Sequence, residues 1–249
     1  MTGRPDLRSS LDTPAGKRRY VRRLFATIAD RYDLITVLLS YGGDARWKQR
    51  LVSMSGAAPG VRALDLACGT GDIAYAAAAR GARVTGLDIT YRMVELAKEK
   101  GTATFLQNSK KGGCPLFLVG DMLALPFADS SFDLVTTGYG IRNVPDIDVA
   151  IGEIRRVLRP GGLFLSLDFN RPSNTLLRSV YLGYLTVVGS TLGWVLHRDP
   201  DTYRYIPESI RRYPGAEAIV DRLAAHGFGS PRYLPVLGGL MAIHAAVAS

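Results

Sequence analysis

The chain has 249 residues, of which 47% are hydrophobic and 21% charged, enough for one large α/β domain and too apolar for a chain disordered as a whole. Its two cysteines, Cys68 and Cys114, exclude a disulfide framework and make a reducing compartment the simpler reading. The formal net charge of +9 first suggests a polyanionic partner, either nucleic acid or an anionic membrane surface.

Residues 1–19 carry Arg4, Arg8, Lys17, Arg18 and Arg19, interrupted by Asp6 and Asp12, and read as a flexible basic arm. No apolar stretch follows them, so no secretory signal is expected. Residues 20–58 read as N-terminal helices. Val21, Leu24, Phe25 and Ile28 recur at helical spacing, and Ile35–Leu39 and Trp47–Val52 are two further short pieces separated by Gly42-Gly43.

From Val61 the pattern alternates between strand and helix. Strands are expected at Val61–Ala67, Arg83–Ile89, Leu116–Val119, Phe132–Thr137 and Leu163–Asp168. Helices are expected at Asp72–Arg80, from Thr90 through Lys100, and along the stripe Ile147, Ile151, Ile154, Leu158, which Pro160-Gly161-Gly162 stops. Gly101–Cys114 reads as a polar, irregular loop. Repeated β-α units imply a doubly wound parallel sheet. Ser179–Leu196 holds no charged residue, yet its glycines and threonines favour a buried or surface-docked helix over a membrane span, which needs about 20 apolar residues. It falls in a region, 174–214, expected to cap the active site. Gly215–His226 reads as a last helix, and Arg232–Val236 with Leu240–Val247 as a terminal strand pair.

The motif that carries chemistry is Leu64-Asp65-Leu66-Ala67-Cys68-Gly69-Thr70-Gly71-Asp72, between the first strand and the next helix. Its glycines allow a tight turn and close approach of a ligand to the backbone. Gly69-x-Gly71-x-x-Ala74 also satisfies a loose dinucleotide fingerprint. Asp72 argues against it, because a carboxylate at the helix N-terminus repels a pyrophosphate. Asp65 adds a second acid beside the ligand. A cationic ligand without phosphate suits both acids, and S-adenosylmethionine, with its sulfonium, amine and ribose, is such a ligand. Asp88 ends the second strand, where a carboxylate accepts from ribose hydroxyls. Asp121 follows the third strand and would accept from an adenine amino group, with Met122 against the ring.

These residues, together with Leu125-Pro126-Phe127, Ser131-Phe132-Asp133 and Leu158-Arg159-Pro160-Gly161-Gly162, resemble class I S-adenosylmethionine-dependent methyltransferases. Tyr32-Asp33, Trp47-Lys48, Gly140-Ile141-Arg142-Asn143-Val144 and Tyr203-Arg204-Tyr205-Ile206-Pro207-Glu208-Ser209-Ile210-Arg211 narrow the resemblance to the ubiquinone/menaquinone biosynthesis C-methyltransferase family, over roughly residues 20–247. The resemblance implies a Rossmann-like α/β sheet of seven strands with a terminal antiparallel strand, in one methyltransferase domain spanning 20–249. It also implies S-adenosylmethionine as cofactor and contacts from Thr70, Asp88, Asp121, Met122 and Gly138. Gly138 stands where the family usually has Ser, Cys68 where it often has Gly, and Asp168-Phe169 where it commonly has Glu-Phe.

The implied reaction is transfer of a methyl group to the ring of a demethylated isoprenoid quinol, a demethylmenaquinol or a ubiquinol precursor. Such chemistry needs alignment and stabilisation of a phenolate. Arg142 is the first candidate to stabilise it, although a guanidinium stays protonated and is a poor base. Asp168 would orient Arg142 or take the proton, and Tyr203, Arg204 and Tyr205 would line the quinol pocket. No metal site is expected. The uncharged helix would shelter a prenyl tail or dock peripherally on the inner face of a membrane from the cytoplasm. It would serve a cap or a homodimer interface equally well. Methylation of another hydrophobic small molecule, or a nucleic-acid-binding methyltransferase-like protein, are the competing readings. No base-methylation motif supports a nucleic-acid partner, and +6 of the +9 charge lies in the first 50 residues, ahead of the cofactor loop.

Overall fold

The computed structural model describes residues 7–40, 42–107, 113–199 and 202–249. Seven strands form one sheet in the order β3-β2-β1-β4-β5-β7-β6. They are β1 (Arg62–Leu66), β2 (Arg83–Asp88), β3 (Leu116–Val119), β4 (Phe132–Gly138), β5 (Leu158–Phe169), β6 (Phe228–Val236) and β7 (Met241–Ala248). The first five pair in parallel, and β7 runs antiparallel to both β5 and β6. Strand order reverses between β1 and β4, so the loops that follow them diverge and open a crevice at their carboxyl ends.

The strands are short apolar runs because helices cover both faces. On one side α4 (Asp44–Met54), α5 (Asp72–Ala78) and α6 (Tyr91–Gln107) bury Trp47, Leu51, Ile73, Ala77 and Val94 against Leu134 and Leu165. On the other, α7 (Ile147–Val157) and α10 (Ala216–Ala225) bury Ile151, Ile154, Ile219 and Leu223 against Leu64, Val135 and Phe164. Asp146 caps α7, accepting from the N–H groups of Asp148 and Val149.

A third layer joins the two ends of the chain. Leu11, just after α1 (Leu7–Ser10), with Val21, Leu24 and Ile28 of α2 (Pro14–Ile28) and Ile35 of α3 (Tyr32–Leu39), packs on Tyr203 and on Tyr205, the first residue of α9 (Tyr205–Arg212). The charged segment expected to be a flexible arm is therefore helical and docked from Leu7 onward; Arg4 and Asp6 lie outside the described residues. Burying five such aliphatic side chains is worth ~1.5–3 kcal/mol each, more than exposed arginines lose to mutual repulsion.

Two other expectations are corrected. The loop expected at Gly101–Cys114 continues α6 as far as Gln107, and residues 108–112 of it lie outside the described residues. Gly101 is a packing glycine: a Cβ there would collide with the Tyr75 hydroxyl, which donates to the Ala97 carbonyl at 2.7 Å. The helix expected through Leu158 ends one residue earlier, at Val157, and Leu158 already pairs with Phe132 as the first residue of β5. The uncharged stretch lies within α8 (Thr175–His197), which buries Tyr181, Leu185, Gly189 and Gly193 at four-residue spacing. Its opposite side is apolar and exposed at Leu176, Val180, Val187, Trp194 and Val195.

Candidate active site

The glycine loop turns sharply out of β1. Gly69 and Gly71 hold φ of +53° and +87°, a left-handed geometry that a side chain would strain. Asp88, at the end of β2, ties the loop down. Its Oδ2 accepts from the Gly69 N–H at 2.9 Å and its Oδ1 from the Thr90 N–H at 2.8 Å. Burial pushes its carboxyl above the usual range, with these N–H donors pulling it back. Thr70 turns away and donates to Asp33 Oδ1 at 2.7 Å.

Asp65 sits beneath the loop, 1% exposed. Its Oδ1 accepts from the Thr136 hydroxyl at 2.8 Å, while Oδ2 is buried with no hydrogen-bond partner among the described residues. Burial lifts its pKa to about 7, against the pull of the Thr136 hydrogen bond and the Lys48 charge. Asp72, at the first position of α5, pairs with Lys48 at 3.0 Å and Lys100 at 2.5 Å.

These acids open on three connected cavities. The smallest, about 290 Å³, lies between Asp65, Asp72, Lys48 and the loop. A second, about 680 Å³, runs past Asp88, Met93, Asp121 and Met122 to Gly138 and Gly140. A third, about 590 Å³, is an aromatic and aliphatic chamber of Phe25, Ile35, Phe169, Tyr203, Tyr205 and Ile206, with Arg142 in its wall. Phe25, Tyr32, Tyr139 and Asn143 line both large cavities. The residues fit S-adenosylmethionine. The orphan Asp65 oxygen can take an ammonium, and Asp88 keeps lone pairs for hydroxyls. The carboxylate at the start of α5 is hostile to phosphate.

The N-terminal layer supplies site residues that sequence reasoning did not assign. Arg18 reaches from α2 to Asp121 at 2.7 Å, and Val21 and Phe25 close the cofactor cavity from above. Lys17, one residue earlier, turns inward and donates to the Arg142 carbonyl at 3.1 Å and to the Val144 carbonyl. Burial, aided by the nearby Arg142 charge, lowers its pKa to about 8. The signal for this was present: Thr13-Pro14 starts a helix, Thr13 Oγ1 accepting from the Gly16 N–H at 3.1 Å.

The proposed catalytic residues cluster at the end of β5. Arg142 is 4% exposed, and Asp168 is fully buried. Asp168 accepts from the Arg142 backbone N–H at 3.0 Å, from Arg142 Nε at 3.2 Å and from the Phe169 N–H at 2.8 Å; Arg142 also donates to Ser209. Burial raises the Asp168 pKa, with Arg142 opposing. Asp168 therefore sits behind Arg142 and does not face the chamber. Tyr205 donates to Asn143 Oδ1 at 2.9 Å, and the Tyr203 hydroxyl lies 2.9 Å from His197 Nε2. Arg204 is exposed and does not line the chamber, so of the expected quinol-pocket trio only the two tyrosines do. His244 is buried within β7, its Nε2 3.2 Å from the Ala216 carbonyl, remote from all three cavities.

Comparison with known proteins agrees with this arrangement. Magnesium protoporphyrin IX methyltransferase (ChlM) from Synechocystis PCC 6803, solved with bound SAH, superposes with a TM-score of 0.66 at 20% identity, covering 94% of this chain and all of that one. A SAM-dependent methyltransferase from Aquifex aeolicus gives 0.57 at 15% identity, over 81% and 89%. At such identities the likeness is one of fold. In sequence, a demethylmenaquinone methyltransferase of Thermus thermophilus is 41% identical over 89% of this chain and 98% of its own length. The ubiquinone/menaquinone biosynthesis C-methyltransferase UbiE of Saccharophagus degradans is 34% identical over 93% and 92%. A family model matches residues 13–248, and with it the layer that closes the cofactor cavity; the chain belongs to the ubiE/COQ5 methyltransferase family.

Proposed function

We propose that the protein uses S-adenosylmethionine to methylate a ring carbon of a demethylated isoprenoid quinol. The observation that carries this reading is the shared wall of Phe25, Tyr32, Tyr139 and Asn143, which places an aromatic chamber directly beyond an acid-lined cofactor cavity. The names of relatives at 34–41% identity, demethylmenaquinone methyltransferase and UbiE, support the same substrate class.

Bound S-adenosylmethionine supplies an electrophilic methyl group on a sulfonium. Asp65 would hold its ammonium end beside Gly69, Thr70 and Gly71, Asp88 would receive the ribose hydroxyls, and Asp121 with Met122 would frame the adenine near Gly138. The chamber orients the quinol ring between Tyr203 and Tyr205, which is largely a proximity effect. Arg142 offers a fixed positive charge to the developing phenolate; Asp168 positions Arg142 and takes no part in proton transfer, because it lies behind it. The apolar side of α8 and the exposed Leu34, Val37 and Leu38 of α3 suit a prenyl tail and peripheral contact with the cytoplasmic face of a membrane.

The test is transfer of a radiolabelled methyl group to demethylmenaquinol, to a demethylated ubiquinol precursor and to bulk RNA. Label is expected in a quinol. Label in RNA with none in either quinol would overturn the reading.

A further inference from the structure

The quinol reading leaves a gap. Removing the hydroxyl proton needs an acceptor, Arg142 stays protonated, and Asp168 does not face the chamber. Among the described residues lining the chamber there is no carboxylate and no histidine. There are hydroxyls, and most are committed to neutral partners. Thr36 donates to the Tyr32 carbonyl, Ser40 to the Val37 carbonyl and Tyr205 to Asn143; Thr202 donates to Asp199 Oδ2 at 2.7 Å but lines the chamber alone and neither of the other two cavities.

Tyr139 differs. It donates to Asp44 Oδ1 at 2.7 Å, and that carboxylate is 5% exposed. Asp44 also pairs with Lys48, whose Nζ lies 2.6 Å from Oδ2. The Tyr139 hydroxyl has one proton and directs it at Asp44, so its oxygen is left as an acceptor. Its ring lines all three cavities, and so stands where a methyl donor and a ring carbon would meet. The backbone is bent to put it there. Tyr139 has φ of +60°, a left-handed conformation rare for a bulky residue, held by its N–H on the Leu167 carbonyl at 2.7 Å and by Asn143 Nδ2 on its own carbonyl at 2.6 Å.

We propose that Tyr139 takes the proton of the quinol hydroxyl and passes its own to Asp44. The inference rests on the quinol reading above. The quinol O–H bond breaks as a new O–H bond forms on Tyr139, and the former Tyr139 proton joins Asp44 Oδ1. The electron pair left on the substrate oxygen pushes into the ring, and the ortho carbon bonds the methyl while the C–S pair passes to sulfur. The ring hydrogen then leaves that carbon and a proton returns to the oxygen through water, restoring the aromatic ring. Asp44 holds the one proton that the overall reaction releases, and loses it to water. Charges facing Tyr139 are Asp44 and Lys48 from α4, Tyr32 from α3, and Asp168 from β5.

Two variants test this without emptying the site: Tyr139→Phe keeps the ring and Asp44→Asn keeps a hydrogen-bond acceptor. Tyr203→Phe is the comparison, since Tyr203 with His197 is the rival pair. The first readout is not turnover. A nitro-substituted hydroquinone, whose phenolate absorbs visible light, is titrated while bound with S-adenosylhomocysteine. Its apparent pKa should rise by about one unit or more in both Tyr139→Phe and Asp44→Asn, and not in Tyr203→Phe. The second readout is kcat for demethylmenaquinol, expected to fall about a hundredfold and then to climb with pH, with S-adenosylhomocysteine affinity within about twofold of wild type. If wild type turns over demethylmenaquinol and the two variants match it in rate and titration, the Tyr139 role is overturned while the quinol reading stands. Loss confined to Tyr203→Phe also overturns it, in favour of His197. A wild type that methylates neither quinol removes both readings.

Discussion

At the scale of single residues, the site is a set of buried acids whose state depends on the ligand. Asp65 illustrates it. Burial, partly offset by Thr136 and Lys48, holds its pKa near 7 in the protein without cofactor. An ammonium needs the ionised form, so below that pH binding must first remove a proton. Affinity for S-adenosylhomocysteine, which keeps the amine, should therefore weaken by about tenfold per pH unit below 7 and level off above it. Calorimetry at pH 6 and pH 8 measures this, and Asp65→Asn should flatten the dependence. An equal slope in that variant would place the titrating group elsewhere. The linkage has a second sign. The folded carboxyl binds its proton more tightly than the unfolded one, so this group's contribution to stability is fully present at acid pH. That contribution is lost as pH rises from about 4 towards 7. The acids at the strand ends were legible in the sequence because their spacing from Gly69 and Gly71 fixes their place at the crevice. Tyr139 was not, because its relevance comes from a backbone twist and from Asp44, a partner 95 residues away.

At the scale of elements, the sheet and its helices follow from alternation and glycine punctuation, and the helical spacing of Val21, Leu24 and Ile28 is legible too, while the start of that helix at Pro14 and its docking are not. The charges ahead of the stripe hide them. Lys17, Arg18, Arg19, Arg22 and Arg23 dominate the composition of α2, yet Val21, Leu24 and Ile28 fall on one buried stripe. Burial of that stripe holds the layer down, and the ion pair across the cavity adds little. Arg18 is more than half exposed in its pair with Asp121, and such pairs are worth ~0–1 kcal/mol, whereas truncating a buried leucine costs ~2–5 kcal/mol. Leu11 lies in the same cluster and lines none of the cavities. Leu11→Ala should therefore speed hydrogen exchange across residues 14–31, and Arg18→Ala should leave it within about threefold of wild type. The reverse order would mean that the ion pair, and not the apolar stripe, keeps the layer closed. Gly101 makes the same point about legibility: a glycine inside a helix reads as a breaker until the side chain pressed against it is known.

At the scale of the whole molecule, charge and apolar surface concern the same question of where the enzyme works. The +9 surplus is concentrated in the first 50 residues, and the structure divides those cations by role. Lys17 is turned inward, Arg18 faces Asp121, Lys48 belongs to the acid network, and Arg19, Arg22 and Arg23 remain exposed on α2. The helix α8 is long and apolar enough to cross a membrane, with 28% of its apolar window buried. Its buried stripe argues against crossing. Gly189 lies so close to Tyr203 that an added Cβ would sit 3.2 Å from the Tyr203 carbonyl. Drawing the helix into a bilayer would strip away the support behind the Tyr203 wall of the chamber. Lying on the bilayer keeps the wall and buries Leu176, Val180, Val187, Trp194 and Val195 instead. The expected behaviour is flotation with vesicles containing anionic lipid, weakened by salt. Each basic side chain near such a surface is worth ~1 kcal/mol, so replacing Arg19, Arg22 and Arg23 with Glu should weaken vesicle binding by a hundredfold or more. Trp194→Ala should weaken binding to neutral and anionic vesicles alike, because it removes apolar area and no charge. Flotation unchanged by all four substitutions would leave the apolar side of α8 to a second copy of the chain, and sedimentation of the protein alone would then report a dimer that Trp194→Ala dissociates.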